Sequence, residues 1–132
     1  MAVMGGEVAG IGGVFFRASD PTALASWYRE HLGIQAYSED SQAPWRQEAG
    51  PTVFAPFPAD SEYFGRADQA WMINFRVRDL NSVLATLRDA GLPVDEEVQV
   101  MDGIGRFAWA TDPEGNRFEL WEPAPEALRE SP

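Results

Sequence analysis

The chain has 132 residues with a mass of 14.6 kDa, and its 10 basic and 21 acidic residues give a net charge of −11. This length predicts one domain over residues 1–132, and the negative charge argues against nucleic-acid and membrane partners. Every basic residue is Arg, Cys is absent, and His31 is the single histidine. That composition excludes lysine Schiff-base chemistry, thiol chemistry and multi-histidine metal centres. Because no apolar run is as long as a membrane span, a cytoplasmic location is expected.

The clearest local signal in the first half is an extended run followed by a capped helix. The run covers residues 13–20, and Asp20 is placed as a helix N-cap with Pro21 at the first helical position. Apolar residues then recur at helical spacing as far as Gly33, a residue that suits the left-handed end of a helix. Three strand-like runs are predicted after it, at residues 34–37, 45–48 and 52–57.

The same order of signals recurs in the second half, with an extended run over residues 72–79, a cap at Asp79 and a helix end at Gly91. The sequence Asp-Pro-Glu-Gly-Asn at residues 112–116 is typical of a hairpin turn. Strands are predicted around it and before it, at residues 94–100, 106–110 and 117–121. We therefore predict an α+β fold of two βαβββ modules, as an internal repeat over residues 12–57 and 71–122 with a connector at 58–70.

Alternation of side chains gives each predicted strand one apolar face and one mixed face. Phe75, Phe118 and Leu120 fall on apolar faces that the two helices should cover. The mixed faces combine aromatic bulk with a few polar groups, which is typical of a small-molecule pocket; the alternative is a solvent-facing side of an antiparallel sheet. Candidate ligand-binding residues, including two tryptophans whose orientation alternation does not settle, are Phe15, Arg17, Trp45, Met72, Asn74, Arg76, Trp109, Arg117 and Trp121.

Three motifs resemble the vicinal oxygen chelate superfamily, which includes glyoxalase I, bleomycin-resistance proteins and extradiol dioxygenases. They are WYREHLG at residues 27–33, NFRVRD at 74–79, and DPEGN at 112–116 followed by Phe118-Glu119-Leu120. The resemblance implies that curled antiparallel or mixed sheets form an incomplete barrel around a cleft. It also implies that two copies of the chain associate as a homodimer.

Metal-dependent members of that superfamily carry ligands at positions that correspond here to Gly13, Met72 and Glu119. Glycine has no donor atom, and a thioether is a poor ligand for hard or borderline divalent ions. Since catalytic zinc normally needs about three protein ligands, we expect no metal and no other cofactor at this site. Glu119 remains the candidate catalytic residue, as a general base or as an acceptor for a ligand. The alternative is a structural ion pair between Glu119 and an arginine.

Two functions remain open on the sequence. The first is a glyoxalase or bleomycin-resistance-like protein that binds a small organic ligand in an aromatic-lined cleft without the usual metal. The second is an enzyme related to the lyases, isomerases or dioxygenases of the superfamily, with Glu119 as a base or as a metal ligand.

Overall fold

The computed structural model describes residues 6–129. The helices are α1 (Pro21–Leu32), α2 (Leu80–Asp89) and α3 (Pro125–Leu128), and the strands are β1 (Asn74–Arg76), β2 (Gln99–Met101), β3 (Gly105–Thr111) and β4 (Arg117–Pro123). Among these helices none is long and apolar enough to cross a membrane.

The four strands form one sheet in the order β1-β4-β3-β2. Strand β1 runs parallel to β4, whereas the β4–β3 and β3–β2 pairs are antiparallel. The sheet is therefore mixed, and it is curled without closing into a barrel. This confirms the predicted α+β class with a curled, unclosed sheet.

Both major helices begin at the predicted caps. The carboxylate of Asp20 accepts from the backbone N–H of Ala23, and that of Asp79 accepts from the backbone N–H of Ser82, each at 3.1 Å. Such caps satisfy backbone donors that have no partner inside the helix. Helix α1 ends at Gly33 in the left-handed conformation, with φ of 66°, as the sequence predicts.

The core lies between one face of the sheet and the helices α1 and α2. Its largest fully buried side chains are Phe118, Leu80, Leu87 and Leu120. Phe118 and Leu120 alternate along β4 with residues on the opposite face, and Phe75 packs against the same cluster. The predicted apolar face is thus confirmed for β1 and β4, and its burial provides roughly 1.5–3 kcal/mol for each large side chain.

The first half differs from the predicted order of strands. Among residues 6–73 the structure contains α1 but assigns no strand, so the runs at 13–20, 34–37, 45–48 and 52–57 are not strands here. A strand exists only when its backbone pairs with a neighbour, and alternation within a short run does not supply that neighbour. Phe15 is accordingly 97% exposed and Phe54 81% exposed.

The second half contains the predicted strands and helix, but β1 and β2 are shorter than the runs predicted at residues 72–79 and 94–100. The run at 94–100 is reduced to β2 and to an isolated bridge between Val94 and Ala110. The β3–β4 hairpin closes at the predicted turn, where the N–H of Asp112 donates to the carbonyl of Asn116 at 2.9 Å. The boundaries of the internal repeat stay a prediction.

Candidate functional site

Glu119 lies at the centre of the mixed face of the sheet, and only 7% of its surface is exposed. The strand register places Asn74 of β1 and Trp109 of β3 on either side of it. Asn74 Nδ2 donates to Glu119 Oε1 at 2.5 Å, and Trp109 Nε1 donates to Oε2 at 2.9 Å. Because a carboxylate has only acceptor atoms and is costly to bury without donors, these two neighbours stabilise Glu119 at this position.

A third donor to Glu119 comes from outside the sheet. The hydroxyl of Tyr63, in the connector at residues 58–70, donates to Oε2 of the same carboxylate. The Tyr63 ring stacks on Phe57 with centroids 5.5 Å apart, and it meets Trp109 edge to face at 6.1 Å. Burial, together with the hydrogen bond to Glu119, raises the pKa of Tyr63 to about 12.

Tyr63 is a site residue that the sequence analysis missed. The connector shows no helical or strand periodicity, so no face could be assigned to its side chains. The available signal is the adjacent aromatic pair Tyr63 and Phe64, in an otherwise polar segment. Large aromatic side chains in a polar connector indicate that it packs against another part of the domain.

Arg117 lies beside the same site without contacting Glu119. Its Nη1 donates to Asp95 Oδ2 at 2.8 Å, and its guanidinium carbon lies 5.4 Å from the centre of the Trp109 ring. This is within the range of a cation–π interaction. Within residues 6–129 no ion pair involves Glu119, so the alternative of a structural Glu–Arg pair is not formed.

Trp121 continues the aromatic surface along β4. It is buried, its Nε1 donates to the carbonyl of Ile104 at 3.0 Å, and its ring is parallel to that of Phe107 with centroids 6.0 Å apart. Trp121 and Glu119 are two residues apart on one strand and therefore share the mixed face. The site thus combines a buried carboxylate with two indole rings.

The remaining candidates on β1 and in the first half lie elsewhere. Arg76 points to the first half, where its Nη2 donates to the carbonyl of Glu48 at 2.9 Å. Trp45 lines a cavity of about 250 Å³ together with Phe75 and Leu120, whose side chains belong to the helix-covered face. Trp45 is therefore not part of the group around Glu119.

A second cavity of about 340 Å³ is polar and is lined by Arg17, Arg66 and Glu114 among others. Phe15 is almost fully exposed, and Met72 is half-buried just before β1. The structure thus brings together five of the candidates, and the other five, Phe15, Arg17, Trp45, Met72 and Arg76, are not among them. The group that it assembles is Asn74, Trp109, Arg117, Glu119 and Trp121.

The residues at the metal-ligand positions do not fit a divalent ion. Gly13 offers no side-chain donor, Met72 offers only a thioether, and both oxygens of Glu119 already accept hydrogen bonds. In the described part of the chain, no three His, Cys, Asp or Glu side chains come together as metal ligands would. These residues therefore suit recognition of hydrogen-bond donors better than coordination of a metal.

A model of the glyoxalase-like domain family matches residues 13–121 of the chain. The chain belongs to the glyoxalase-like domain family. The match spans α1, α2, the strands β1 to β3, β4 as far as Trp121, and the whole group around Glu119. A search of curated proteins found none that matches this chain.

The chain is similar to several solved structures at low sequence identity, and the first two below share its fold. A member of the glyoxalase/bleomycin resistance protein/dioxygenase superfamily from Sphaerobacter thermophilus has a TM-score of 0.56 and 18% identity, covering 87% of this chain and 98% of its own. A lactoylglutathione lyase from Agrobacterium tumefaciens has a TM-score of 0.55 and 17% identity, with coverage of 88% and 95%. TnmS3, an antibiotic binding protein from a Streptomyces species, has a TM-score of 0.49 and 22% identity, with coverage of 80% and 88%.

Proposed function

We propose that this glyoxalase-like domain binds a small organic ligand on the mixed face of its sheet, at Glu119, without the divalent metal of metal-dependent relatives. The observation that carries the proposal is the buried carboxylate held by Asn74 and Trp109 beside two buried indole rings. A few fixed polar groups within an aromatic surface are the usual composition of small-molecule sites.

Each part of the site has a separate role in this proposal. The rings of Trp109 and Trp121 supply flat apolar surface for stacking. Glu119 accepts a hydrogen bond from the ligand, and a carboxylate has enough lone pairs to do so while it keeps Asn74 as a donor. Arg117 lies against Trp109 and partly balances the negative charge of the site.

Ligand binding is tested by thermal shift and calorimetry with a panel of flat aromatic compounds. We expect binders in the panel to raise the melting temperature of the wild type and to lose most of this effect in a Glu119→Gln variant. Glu97 is exposed and lies two residues before β2, so Glu97→Gln is a matched control with the same change in charge. Equal shifts in all three proteins would contradict a role for Glu119 in binding.

Metal content is tested by elemental analysis of protein purified without chelators. The proposal predicts substoichiometric divalent metal, because two of the three ligand positions lack a suitable donor. A stoichiometric ion that is lost in a Glu119→Ala variant would contradict the metal-free site and would support the enzyme alternative instead.

We further propose that the chain forms a homodimer through its first half. Phe15, Val53 and Phe54 are between 74% and 97% exposed, and large apolar side chains exposed in this way favour an interface. Sedimentation should give twice the chain mass for the wild type and a smaller mass for Phe54→Glu. Val100→Glu, at an exposed position on β2, is the control that should leave the assembly unchanged, and a monomeric wild type would contradict the dimer.

A further inference from the structure

The mixed face around Glu119 is already covered by the chain itself. Neither of the two cavities described above is lined by Glu119. Instead, the Tyr63 ring lies against Trp109 and its hydroxyl reaches the Glu119 carboxylate. A flat ring with one hydrogen-bond donor therefore occupies the place where the proposed ligand would bind.

We propose that Tyr63 is an internal occupant of the site, and that the ligand is a flat aromatic molecule with a hydroxyl or N–H donor that displaces Tyr63 from Glu119. This inference rests on the proposed function, since it names the ligand class and the regulation of the same site. On binding, the donor of the ligand replaces the Tyr63 hydroxyl at the Glu119 carboxylate, and the sheet does not change.

The contacts of Tyr63 allow it to leave. Tyr63 is 37% exposed, and it lies among turns and bends in the segment between α1 and β1. Apart from the bond to Glu119, the hydrogen bonds that the structure gives to residues 58–65 are local, such as Ser61 N–H to the Pro58 carbonyl and Tyr63 N–H to Ser61 Oγ. These local bonds move with the segment and are kept when Tyr63 departs.

The far end of the connector is anchored, which gives the movement a fixed pivot. The side chain of Gln69 donates to the carbonyl of Arg117 at 2.7 Å and accepts from its N–H at 2.9 Å. Gly65, with φ of +87°, lies between Tyr63 and this anchor. A glycine at positive φ is free to change its backbone angles at low cost, so the tip at residues 58–64 can move while Gln69 stays bound.

The donor on the ligand follows from what Tyr63 leaves behind. When the hydroxyl departs, Oε2 of Glu119 loses one of its two donors and keeps Trp109 Nε1. A buried acceptor that loses a partner is destabilised, so a ligand with a donor restores the contact and a ligand without one does not. We expect indole to bind at least about tenfold more tightly than 1-methylindole, which lacks the N–H donor. The affinity of p-cresol should exceed that of 4-methylanisole, which lacks the hydroxyl donor, by a similar factor.

Displacement is measured directly by NMR on protein that carries ¹³C-labelled tyrosine. The chain has three tyrosines, Tyr28, Tyr37 and Tyr63, and the Tyr63 signal is assigned by its loss in Tyr63→Phe. Saturating indole should shift the Tyr63 ring signal and leave that of Tyr28, which is buried against Asp112, unchanged. Indole binding with an unmoved Tyr63 signal would overturn this inference and leave the proposed function intact.

Calorimetry on variants provides the second readout. The Tyr63→Ala variant lacks the internal occupant, so it should bind indole several-fold more tightly than the wild type. In the wild type the open, binding-competent state is only a fraction of the population, because the tyrosine ring occupies the site. Tyr63→Phe, which keeps the ring but lacks the hydroxyl, should fall between the wild type and Tyr63→Ala. Tyr37→Ala, at an exposed position elsewhere, should bind as the wild type does.

The outcomes separate the two proposals. Equal affinities for indole and 1-methylindole, or weaker indole binding by Tyr63→Ala than by the wild type, would overturn the internal-occupant inference alone. Absence of binding to any flat aromatic compound by both the wild type and Tyr63→Ala would overturn the proposed function and this inference together.

Discussion

Tyr28 on α1 donates its hydroxyl to Asp112 in the β3–β4 turn, with 2.7 Å between the two oxygens, and the bond joins residues 84 positions apart. Both residues are buried, and burial, with a smaller contribution from the neighbouring carboxylate, raises the pKa of Tyr28. Asp112 also accepts from the backbone N–H groups of Glu114 and Asn116. The helix of the first half is thus attached to the turn that supports β4 and the site.

Replacement of this tyrosine in Tyr28→Phe should lower the free energy of unfolding by about 1.5–3 kcal/mol, the usual range for a hydrogen bond to a charged group. The turn should remain, because Asp112 keeps its backbone donors. Urea denaturation followed by circular dichroism measures the change. Tyr37→Phe, at a tyrosine that is 68% exposed, is the matched control, and an equal loss in both variants would contradict the assignment.

Alkaline pH should destabilise the fold through Tyr63. Its pKa is raised to about 12 in the folded chain, whereas an unfolded tyrosine titrates near 10. The unfolded state therefore releases the proton first, and the contribution of Tyr63 is fully present below about pH 10 and is lost as the pH rises towards 12. Since the chain has no Lys and no Cys, tyrosines dominate the side-chain titration in this window.

The measurement compares melting temperatures of the wild type and Tyr63→Phe between pH 9 and 12. The wild type should lose stability more steeply in this range, because the variant has no hydroxyl to titrate at position 63. Tyr28 is common to both proteins and so cancels in the comparison. Parallel curves would show that Tyr63 does not titrate against Glu119.

Glu119→Gln should destabilise the fold even without a ligand. The Glu119 carboxylate accepts hydrogen bonds from three donors, which are Asn74 Nδ2, Trp109 Nε1 and the Tyr63 hydroxyl. A glutamine amide replaces one acceptor oxygen with an NH₂ group, so its two N–H donors would face other donors. The mismatch of one buried donor costs about 1–3 kcal/mol. Chemical denaturation measures this loss against Glu97→Gln, and a variant as stable as its control would argue that the three donors are not needed.

Gly105→Ala should be among the most damaging small substitutions in the sheet. A Cβ at Gly105 would overlap the carbonyl oxygen of Glu122 and would lie 2.8 Å from Trp121 Nε1, and the residue has φ of +141°. Overpacking and an unfavourable backbone angle together predict a loss of about 3 kcal/mol. Gly91→Ala has positive φ but open space around the Cβ, so its cost should be about 1 kcal/mol; thermal denaturation of both variants tests the difference.

Local features of this fold could be predicted from the sequence because their causes are local. Asp20 and Asp79 cap helices through donors three residues away, and the alternation along β4 separates Phe118 and Leu120 from Glu119. The sequence also indicates Asn74 as a member of a polar, aromatic face and Trp109 as a candidate whose orientation stays open. The pairing of both with Glu119 needed the strand register, which alternation alone leaves uncertain by one residue.

The strands of the first half could not be predicted reliably, because an alternating run such as residues 13–18 is compatible with a strand but does not determine its partner. Tyr63 was missed for a related reason, since an aperiodic connector carries no signal of the surface that it covers. Phe15, Arg17 and Trp45 were grouped with Glu119 only on the assumption that both halves contribute equivalent strands.

By itself, the sequence determined the helix caps, the apolar face of the core, the motifs of the glyoxalase-like family and the absence of donor side chains at Gly13. These properties depend on residue type and on short-range spacing. Only the tertiary structure decided that Tyr63 covers Glu119 and that Trp45 lies apart from it. The contact between Tyr63 and Glu119 joins residues 56 positions apart, and both outcomes depend on how whole segments pack over the sheet.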